Sequence, residues 1–332
     1  MAACFINELV EGGRADGVYF LRSREMRAAR SGDAYLSLEL SDKTGTLPGV
    51  LFRPSPDACA IPVRSAVRVV GRVTSFRGTK RISLESLSAA DTWNASDLIG
   101  NGVRSRDELS DELRALAASL QHPGLKRLVV KVFGDKEFFG KFCECPASQS
   151  YHHAYIGGLL EHSVSVASMC RGMSGRYDGV DGDLLVAAAL LHDIGKVDEL
   201  SFDTGIGYTD EGRLVGHVVS SVVRVRGAAR GAGVDRDTLL RLEHAILSHH
   251  GELEWGSPKR PSTFEALLLH HVDNLDAKAA GFTAFIQGAS LIEESWTDSA
   301  NLFRRPLYAP KAVEDERDSR ACEDDQHFRR SA

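Results

Sequence analysis

The chain has 332 residues, of which 43% are hydrophobic and 26% charged, and its formal net charge is −6. This length and apolar content suffice for two domains with buried cores rather than one. A membrane span is excluded, because the longest apolar run, Leu184 to Leu191, is far shorter than the roughly 20 residues that a bilayer requires. No basic and apolar leader opens the sequence, and the six cysteines lack the spacing of a zinc module or disulfide framework. We therefore expect a cytoplasmic protein.

The charge is distributed unevenly along the chain. Residues 1–90 contain 13 Lys and Arg against 9 Asp and Glu, a balance of +4. Residues 151–308 contain 14 against 21, a balance of −7. The basic segment is where a polyanion would be held, whereas the acidic segment suits bound cations.

The first 90 residues predict a small β-barrel. Five short segments with period-two alternation of apolar residues are separated by turn-forming residues, and they are centred on 18–20, 35–40, 50–52, 67–73 and 82–87. Five strands of this length fit a closed barrel, and the segments 35–45 and 69–73 resemble the OB-fold. An SH3-like barrel is the alternative.

The rest of the chain predicts helices. Residues 91–106 are interpreted as a linker, and helical periodicity follows over about 107–120, 125–142, 153–172, 182–194, 212–229, 236–249, 262–280 and 281–296. The predicted fold class is therefore α+β and multidomain, with an OB-type barrel over 1–90 and an all-α domain over 107–308. We expect the charged residues 309–332 to form a disordered tail.

Most of the 12 histidines lie between positions 152 and 271, interspersed with aspartates. Imidazole and carboxylate groups suit first-row divalent metals, and two neighbouring ions need a shared carboxylate, for which Asp193 is the natural candidate. Because His192 and Asp193 are adjacent, both reach one cavity only where the helix end opens, as Gly195 suggests. The candidate ligands are His162, His192, Asp193, His217, His249, His250 and Asp273.

The segment His192-Asp193-Ile194-Gly195-Lys196 resembles the signature of the HD phosphohydrolase superfamily. Four further segments, 152–162, 208–217, 248–258 and 271–278, are similar to those of the YhaM-type 3′-to-5′ exoribonucleases, which also place an OB-fold before the HD domain. The resemblance covers about residues 14–300. It implies a metal-dependent 3′-to-5′ exonuclease that acts on single-stranded RNA, with single-stranded DNA as a further substrate.

The resemblance also implies how the metals are held. One metal would be surrounded by His162, His192, Asp193 and Asp273. A second would be completed by His217, His249 and His250. Two bridged cations would lower the pKa of the water between them, present hydroxide in line to phosphorus and stabilise the departing 3′ oxygen. Mn²⁺ is favoured because a His/Asp site is softer than an all-oxygen Mg²⁺ site and harder than a thiolate site, with Fe²⁺ and Mg²⁺ as alternatives.

Several residues near the candidate ligands have two interpretations. Lys196 would contact the scissile phosphate or the leaving oxygen, or would simply be a cation at a helix C-terminus. Adjacent side chains point apart, so either His249 or His250 could be the ligand while the other supports it. Ligation and support are equally open for four more histidines, His152, His153, His270 and His271.

The barrel sequence combines aromatic residues with cations, the combination by which OB-folds stack bases and follow a single strand. The candidates are Phe20, Tyr35, Phe52, Arg72, Phe76, Arg77, Lys80 and Arg81. An aromatic residue in a strand is more often part of the core. The basic stretch 77–81 is the stronger candidate, because a hairpin tip cannot be core.

Two other functions fit less well. A nucleotide or cyclic-dinucleotide phosphohydrolase with the barrel as a sensor is the first, but a mononucleotide needs no tethering surface. The second is a single-strand binding protein with a structural metal, which would not require seven candidate ligands. We expect single-stranded RNA or DNA as the partner, no membrane, and a homo-oligomer as a compatible assembly.

Overall fold

The computed structural model describes residues 4–28, 32–76, 79–100, 102, 104–149, 153–202 and 205–288, and also 291–293, 295–297, 299, 301 and 303–309. Two of the residues discussed above, Arg77 and His152, lie outside the described residues, as does the predicted tail from 310 onward. The chain divides into two compact units, Met1–Ala280 and Gly281–Ala332. No helix among the described residues is both long enough and apolar enough to cross a bilayer.

The N-terminal part of the first unit is a closed five-stranded barrel. Its strands are β1 (Arg14–Ala28), β2 (Ala34–Asp42), β3 (Gly45–Phe52), β4 (Ala66–Phe76) and β5 (Thr79–Ala89). The order around the barrel is β1-β2-β3-β5-β4, with β1 antiparallel to β4 and β3 parallel to β5. This is the Greek-key barrel of the OB-fold, so the OB-type prediction is confirmed rather than the SH3-like alternative.

The barrel core follows from the alternation of the strands. On β2, Leu36, Leu38 and Leu40 are buried, while the residues between them face outward. The pairing of β4 with β5 shifts register at Gly71, where a Cβ would lie only 2.4 Å from the carbonyl oxygen of Ser83. Glycine is therefore required where the two strands approach most closely.

The predicted linker contains a short helix that packs on the barrel. Helix α1 (Pro56–Ala60) lies between β3 and β4, and α2 (Ala95–Ile99) lies within the predicted linker 91–106. Leu98 of α2 is buried against Phe20 and Ala66 of the barrel. The segment after the barrel is therefore held in place by apolar contact.

The remainder of the first unit is helical. The helices are α3 (Arg106–Ser119), α4 (Pro123–Phe133), α5 (Lys136–Glu144), α6 (Gly158–Met173), α7 (Gly182–Leu191), α8 (Lys196–Glu199), α9 (Asp210–Leu214), α10 (His217–Ala229), α11 (Arg236–Ser248) and α12 (Phe264–Gly288). A small hairpin pairs β6 (Leu200–Ser201) with β7 (Gly207–Tyr208). The second unit contains the hairpin of β8 (Leu291–Glu293) and β9 (Trp296–Thr297). Helix α7 is apolar on every side and buried from Leu184 to Leu191, which makes it the central helix of the core.

Three predicted helices differ from the observed ones. The helix predicted over 125–142 is two helices, because Asp135 accepts hydrogen bonds from the backbone N–H groups of Glu137 and Phe138 and starts α5. The helix predicted over 212–229 is broken at Gly216, whose φ of +80° is not helical. The separate helix predicted over 281–296 is wrong, since α12 continues to Gly288 and residues 291–293 form β8.

Candidate metal centre

Five elements bring the seven candidate ligands together. They are His162 on α6, His192 and Asp193 after α7, His217 at the start of α10, His249 and His250 after α11, and Asp273 on α12. Because α7 ends at Leu191, the next two side chains turn into the same space. The chain then passes through Gly195, where a Cβ would lie 2.3 Å from the carbonyl oxygen of His217. Glycine thus permits the close approach of this turn to α10.

Asp193 lies at the middle of the cluster, with two imidazoles near each carboxylate oxygen. Its Oδ2 is 3.5 Å from Nε2 of His162 and 3.4 Å from Nε2 of His192. Its Oδ1 is 3.5 Å from Nε2 of both His217 and His249. One carboxylate therefore faces two separate pairs of imidazoles, which is the arrangement that a bridging ligand requires.

The two remaining candidates each join one of these pairs. Asp273 Oδ1 lies 3.1 Å from Nε2 of His162 and 3.7 Å from Nε2 of His192. His250 Nε2 lies 3.3 Å from Nε2 of His217. The structure thus brings all seven predicted residues into one cluster.

The hydrogen bonds of the outer ring nitrogens fix which nitrogen faces inward with a lone pair. Nδ1 of His192 donates to the carbonyl of Ala189 at 2.8 Å, and Nδ1 of His249 donates to that of Ile246 at 2.7 Å. A carbonyl oxygen can only accept, so Nδ1 carries a proton in each ring, and in the neutral form of the ring Nε2 carries a lone pair.

The same argument holds for two further rings. Nδ1 of His162 lies 2.8 Å from Asp276 Oδ2, and Nδ1 of His217 lies 2.9 Å from Glu199 Oε1. A carboxylate partner orients an imidazole so that its other nitrogen can bind a metal. Sequence reasoning missed both carboxylates, although each follows a candidate residue by three positions, Asp276 after Asp273 and Glu199 after Lys196.

The nitrogen and oxygen atoms that face the middle of the cluster are better suited to bind a divalent metal than to hydrogen-bond to one another. Nε2 of His162 and Nε2 of His192 are 3.2 Å apart, although neither has a proton to share when its ring is neutral. Among the described residues, Asp193 Oδ1 is also a buried atom without a hydrogen-bond partner. A buried acceptor of this kind is costly unless a positive charge compensates it. Imidazole nitrogens and carboxylate oxygens are the donors that first-row divalent metals prefer.

The electrostatics of the cluster favour positive charge. Burial opposes ionisation of Asp193, but Lys196 and His192 outweigh that effect and hold its pKa well below the usual range. Burial also opposes protonation of His162, yet hydrogen bonds to the surrounding carboxylates raise its pKa well above the usual value. Burial and the neighbouring imidazole His250 lower the pKa of His249, which keeps that ring neutral. The ionised carboxylate of Asp193 and the neutral ring of His249 are ligand forms that metals need, whereas His162 would have to release its proton to the solvent when a metal binds.

Comparison with known proteins identifies the family of this chain. Residues 159–278 match the family described as the HD domain. Over 271 residues the chain is 34% identical to the 3′-5′ exoribonuclease YhaM of Geobacillus sp. (strain WCH70), which covers 80% of this chain and 83% of that protein. It is also 34% identical to the 3′-5′ exoribonuclease YhaM of Bacillus subtilis (strain 168), over 80% of this chain and 86% of that one. The chain belongs to the YhaM family.

Among solved structures, the second OB-fold domain of replication protein A from Methanococcus maripaludis is similar to 27% of this chain, at 19% identity and a TM-score of 0.23, and 95% of that domain is covered. The strand order and pairing given above, rather than this likeness, establish the OB-fold of this YhaM family member.

Lys196 lies against the cluster rather than in an open cleft. Its side chain is buried, and Nζ is 2.5 Å from Asp193 Oδ2. Burial disfavours its charge, but Asp193 more than compensates and raises the pKa of the ammonium. The structure therefore shows Lys196 in direct contact with the central carboxylate.

The other histidines surround the cluster. His270 donates through Nδ1 to the carbonyl of His249 at 2.8 Å, so it supports the chain beside the centre. His153 Nε2 lies 2.9 Å from Asp276 Oδ2, and its Nδ1 lies 2.7 Å from the Tyr155 hydroxyl. His271 is exposed on α12.

Of the predicted barrel residues that the structure describes, all but one lie at the barrel surface. Phe20 is only 9% exposed and packs against Ala66 and Leu98. A Cβ on Gly205 would lie 1.8 Å from its ring, so the backbone at Gly205 packs directly against the ring. Phe20 is therefore removed from the predicted surface, because its side of β1 is covered by α2 and the helical domain.

The remaining aromatic candidates form two separate groups. Phe52 is half exposed and its ring centre is 5.5 Å from that of Tyr35 on the neighbouring strand. Phe76 is also half exposed, and the Arg81 guanidinium lies over its ring at 4.5 Å. Two more candidates are exposed cations, Arg72 and Lys80, and Lys80 donates to the carbonyl of Leu9 at 2.8 Å.

Proposed function

We propose that this chain is a metal-dependent 3′-to-5′ exonuclease that acts on single-stranded RNA. The observation that carries the proposal is the convergence of four inward-facing Nε2 atoms on the central carboxylate Asp193. Membership of the YhaM family supports the choice of RNA and of the 3′ end. In this proposal residues 1–90 hold the strand and residues 107–308 cut it.

These residues would hold two divalent cations, with Asp193 contributing to both. One cation would be held by His162, His192, Asp193 and Asp273. The other would be held by His217, His249, His250 and Asp193. The cations would activate the attacking water and neutralise charge on the scissile phosphate, and Mn²⁺ suits this donor set, with Fe²⁺ and Mg²⁺ as alternatives.

The chain's own contribution is to hold these donors in place before substrate arrives. Asp276 and Glu199 orient His162 and His217 through their Nδ1 atoms. The buried ammonium of Lys196 keeps Asp193 ionised. A site whose charges are fixed in advance loses little free energy to reorganisation during the reaction.

The barrel supplies the properties expected of a strand-binding surface. Phe52 and Phe76 expose aromatic rings, and Arg72 and Arg81 lie on the same outer face of β4 and β5. OB-folds bind single strands by stacking bases on aromatic rings while cations contact the backbone. The surplus of positive charge in residues 1–90 favours the same role.

The test is incubation of the purified protein with Mn²⁺ and single-stranded RNA or DNA labelled at the 5′ end. We expect labelled products that shorten one nucleotide at a time from the 3′ end, and complete loss of this activity in EDTA. A strand whose 3′ end is closed into a duplex serves as the matched control and should resist. Activity unchanged in EDTA by a protein without bound metal would contradict the proposal. Preferential hydrolysis of a cyclic dinucleotide would instead favour a nucleotide phosphohydrolase.

A further inference from the structure

An exposed indole lies beside the candidate metal centre without a role in the proposal above. Trp255 belongs to the short 3-10 turn Leu253–Trp255, which follows the His249–His250 pair. It is 57% exposed, although tryptophan is usually buried to a large extent. We propose that Trp255 stacks on a base of the RNA strand near its 3′ end and holds that end at the metal centre. This proposal rests on the proposed function.

The position of the indole relative to the centre comes from two contacts. Its ring centre is 5.9 Å from that of His270, with 41° between the planes. His270 donates to the carbonyl of His249 and precedes Asp273 by three residues, so it lies one turn away on the same side of α12. The side chain of Asp273 retains some solvent exposure, which indicates that the centre opens on its side. Trp255 therefore contacts a residue that is one helical turn from a candidate ligand with some solvent exposure.

The turn that carries Trp255 is firmly anchored. The Ser257 hydroxyl is buried and donates to the carbonyl of Lys259 at 2.7 Å, with the carbonyl of Leu247 at 3.2 Å on its other side. At Gly251, which has φ of +83°, a Cβ would lie 2.2 Å from the His270 ring, so the turn fits closely on α12. A side chain presented on a fixed turn loses little conformational freedom when it binds a ligand.

The surroundings suit a nucleic acid strand. Lys259 and Arg260 are exposed cations on the same loop. Arg260 faces both acids of the turn, Glu252 at 2.9 Å and Glu254 at 3.9 Å, so these two cations balance the two acids. An aromatic ring next to cations is the combination that binds single strands with little regard to sequence.

The experiment compares Trp255→Ala and Trp255→Phe with Leu253→Ala, a matched control that removes an equally exposed side chain from the same turn. Single-stranded RNA and bis(p-nitrophenyl) phosphate are the two substrates, and the second has no nucleotide strand beyond the scissile phosphate. For Trp255→Ala we expect KM for RNA to rise about tenfold while hydrolysis of the small substrate and metal content stay within twofold. Trp255→Phe should recover most of the loss. Leu253→Ala should resemble the wild type.

A binding measurement makes the test independent of turnover. The chain has three tryptophans, so replacing Trp93 and Trp296 with Phe leaves Trp255 as the sole indole. Its fluorescence should be quenched by single-stranded RNA in the presence of EDTA, because stacking on a base quenches indole emission. An unquenched indole at RNA concentrations that saturate binding would overturn the inference.

The outcomes separate this inference from the proposed function. A wild-type protein that cleaves RNA while Trp255→Ala leaves its KM unchanged overturns the stacking role alone. A parallel loss of RNA cleavage, small-substrate hydrolysis and bound metal in Trp255→Ala also overturns it, since the indole would then only support His270. A wild-type protein that neither cleaves nor binds RNA overturns both.

Discussion

The barrel and the helical domain place their candidate functional residues in opposite surroundings. In the helical domain these residues are polar and buried, and Asp193 is only 1% exposed. In the barrel the remaining aromatic candidates are apolar and exposed, with Phe52 at 51%. A buried charge is costly unless a partner compensates it, whereas an exposed aromatic ring is common on protein surfaces. The buried cluster of ionised groups therefore needs a compensating cation, whereas an exposed ring is accessible to a base as it stands.

The largest expected effect comes from removing the central carboxylate. Asp193→Ala should abolish binding of both cations and lower RNA cleavage by at least about a thousandfold, because both sets of ligands share this residue. Metal analysis of the purified variant and single-turnover cleavage are the measurements. Asp198→Ala is the matched control, since Asp198 is the next acid along the chain and pairs with Arg224 outside the cluster.

Folding must be separated from metal binding in this variant. Loss of Asp193 leaves the buried ammonium of Lys196 without its partner, at a cost of about 3–5 kcal/mol in the free energy of unfolding. Combining Asp193→Ala with Lys196→Met removes that uncompensated charge. If the double variant folds well and still binds two cations, Asp193 does not bridge them.

A smaller effect is expected from Asp276, which contacts a candidate ligand without facing the centre. Asp276→Ala should weaken Mn²⁺ binding by about 10- to 100-fold, because His162 loses the acceptor that orients it. Ser165→Ala is the control, since it removes only the hydrogen bond to the other oxygen of the same carboxylate. Titration of the metal-free proteins with Mn²⁺ measures both. Equal affinities in wild type and Asp276→Ala would show that packing alone orients His162.

The sequence predicts the elements and candidate ligands that have a distinctive local pattern. It does not predict contacts that form only when distant parts of the chain come together. The strand segments of the barrel and the central helix α7 were predicted because period-two alternation and a long apolar run are strong local signals. Asp276 and Glu199 were missed because a carboxylate three residues after a candidate residue is common on any helix. The prediction that Phe20 lies on the strand-binding surface was wrong for a similar reason. The alternation of the strand shows that Phe20 faces out of the barrel, but it does not show that α2 covers it.

The strand-binding surface can be tested through its charge. Changing Arg72, Lys80 and Arg81 together to Ala should weaken binding of long single-stranded RNA by about tenfold. The slope of the logarithm of the binding constant against the logarithm of salt concentration should become shallower by about two, because fewer phosphates are neutralised. Hydrolysis of bis(p-nitrophenyl) phosphate should not change. The control is the removal of three cations from the helical domain, Lys131, Lys136 and Lys141. An equal loss in that control would place the strand-binding surface elsewhere.

The smallest expected effect on RNA affinity comes from an exposed aromatic residue of the barrel, and a buried one serves for comparison. Phe52→Ala should lower the affinity for single-stranded RNA about fivefold, because the exposed ring is available to a base and stacking on one aromatic ring contributes modestly. Phe20→Ala should instead cost about 3–5 kcal/mol of stability, because it leaves a cavity against Ala66 and Leu98. Fluorescence anisotropy of labelled RNA and chemical denaturation measure the two effects. The opposite outcome would be weaker RNA binding in a folded Phe20→Ala variant and unchanged binding in Phe52→Ala. The strand would then lie on the face of β1 that α2 covers in this structure. The barrel would have to separate from α2 to bind it.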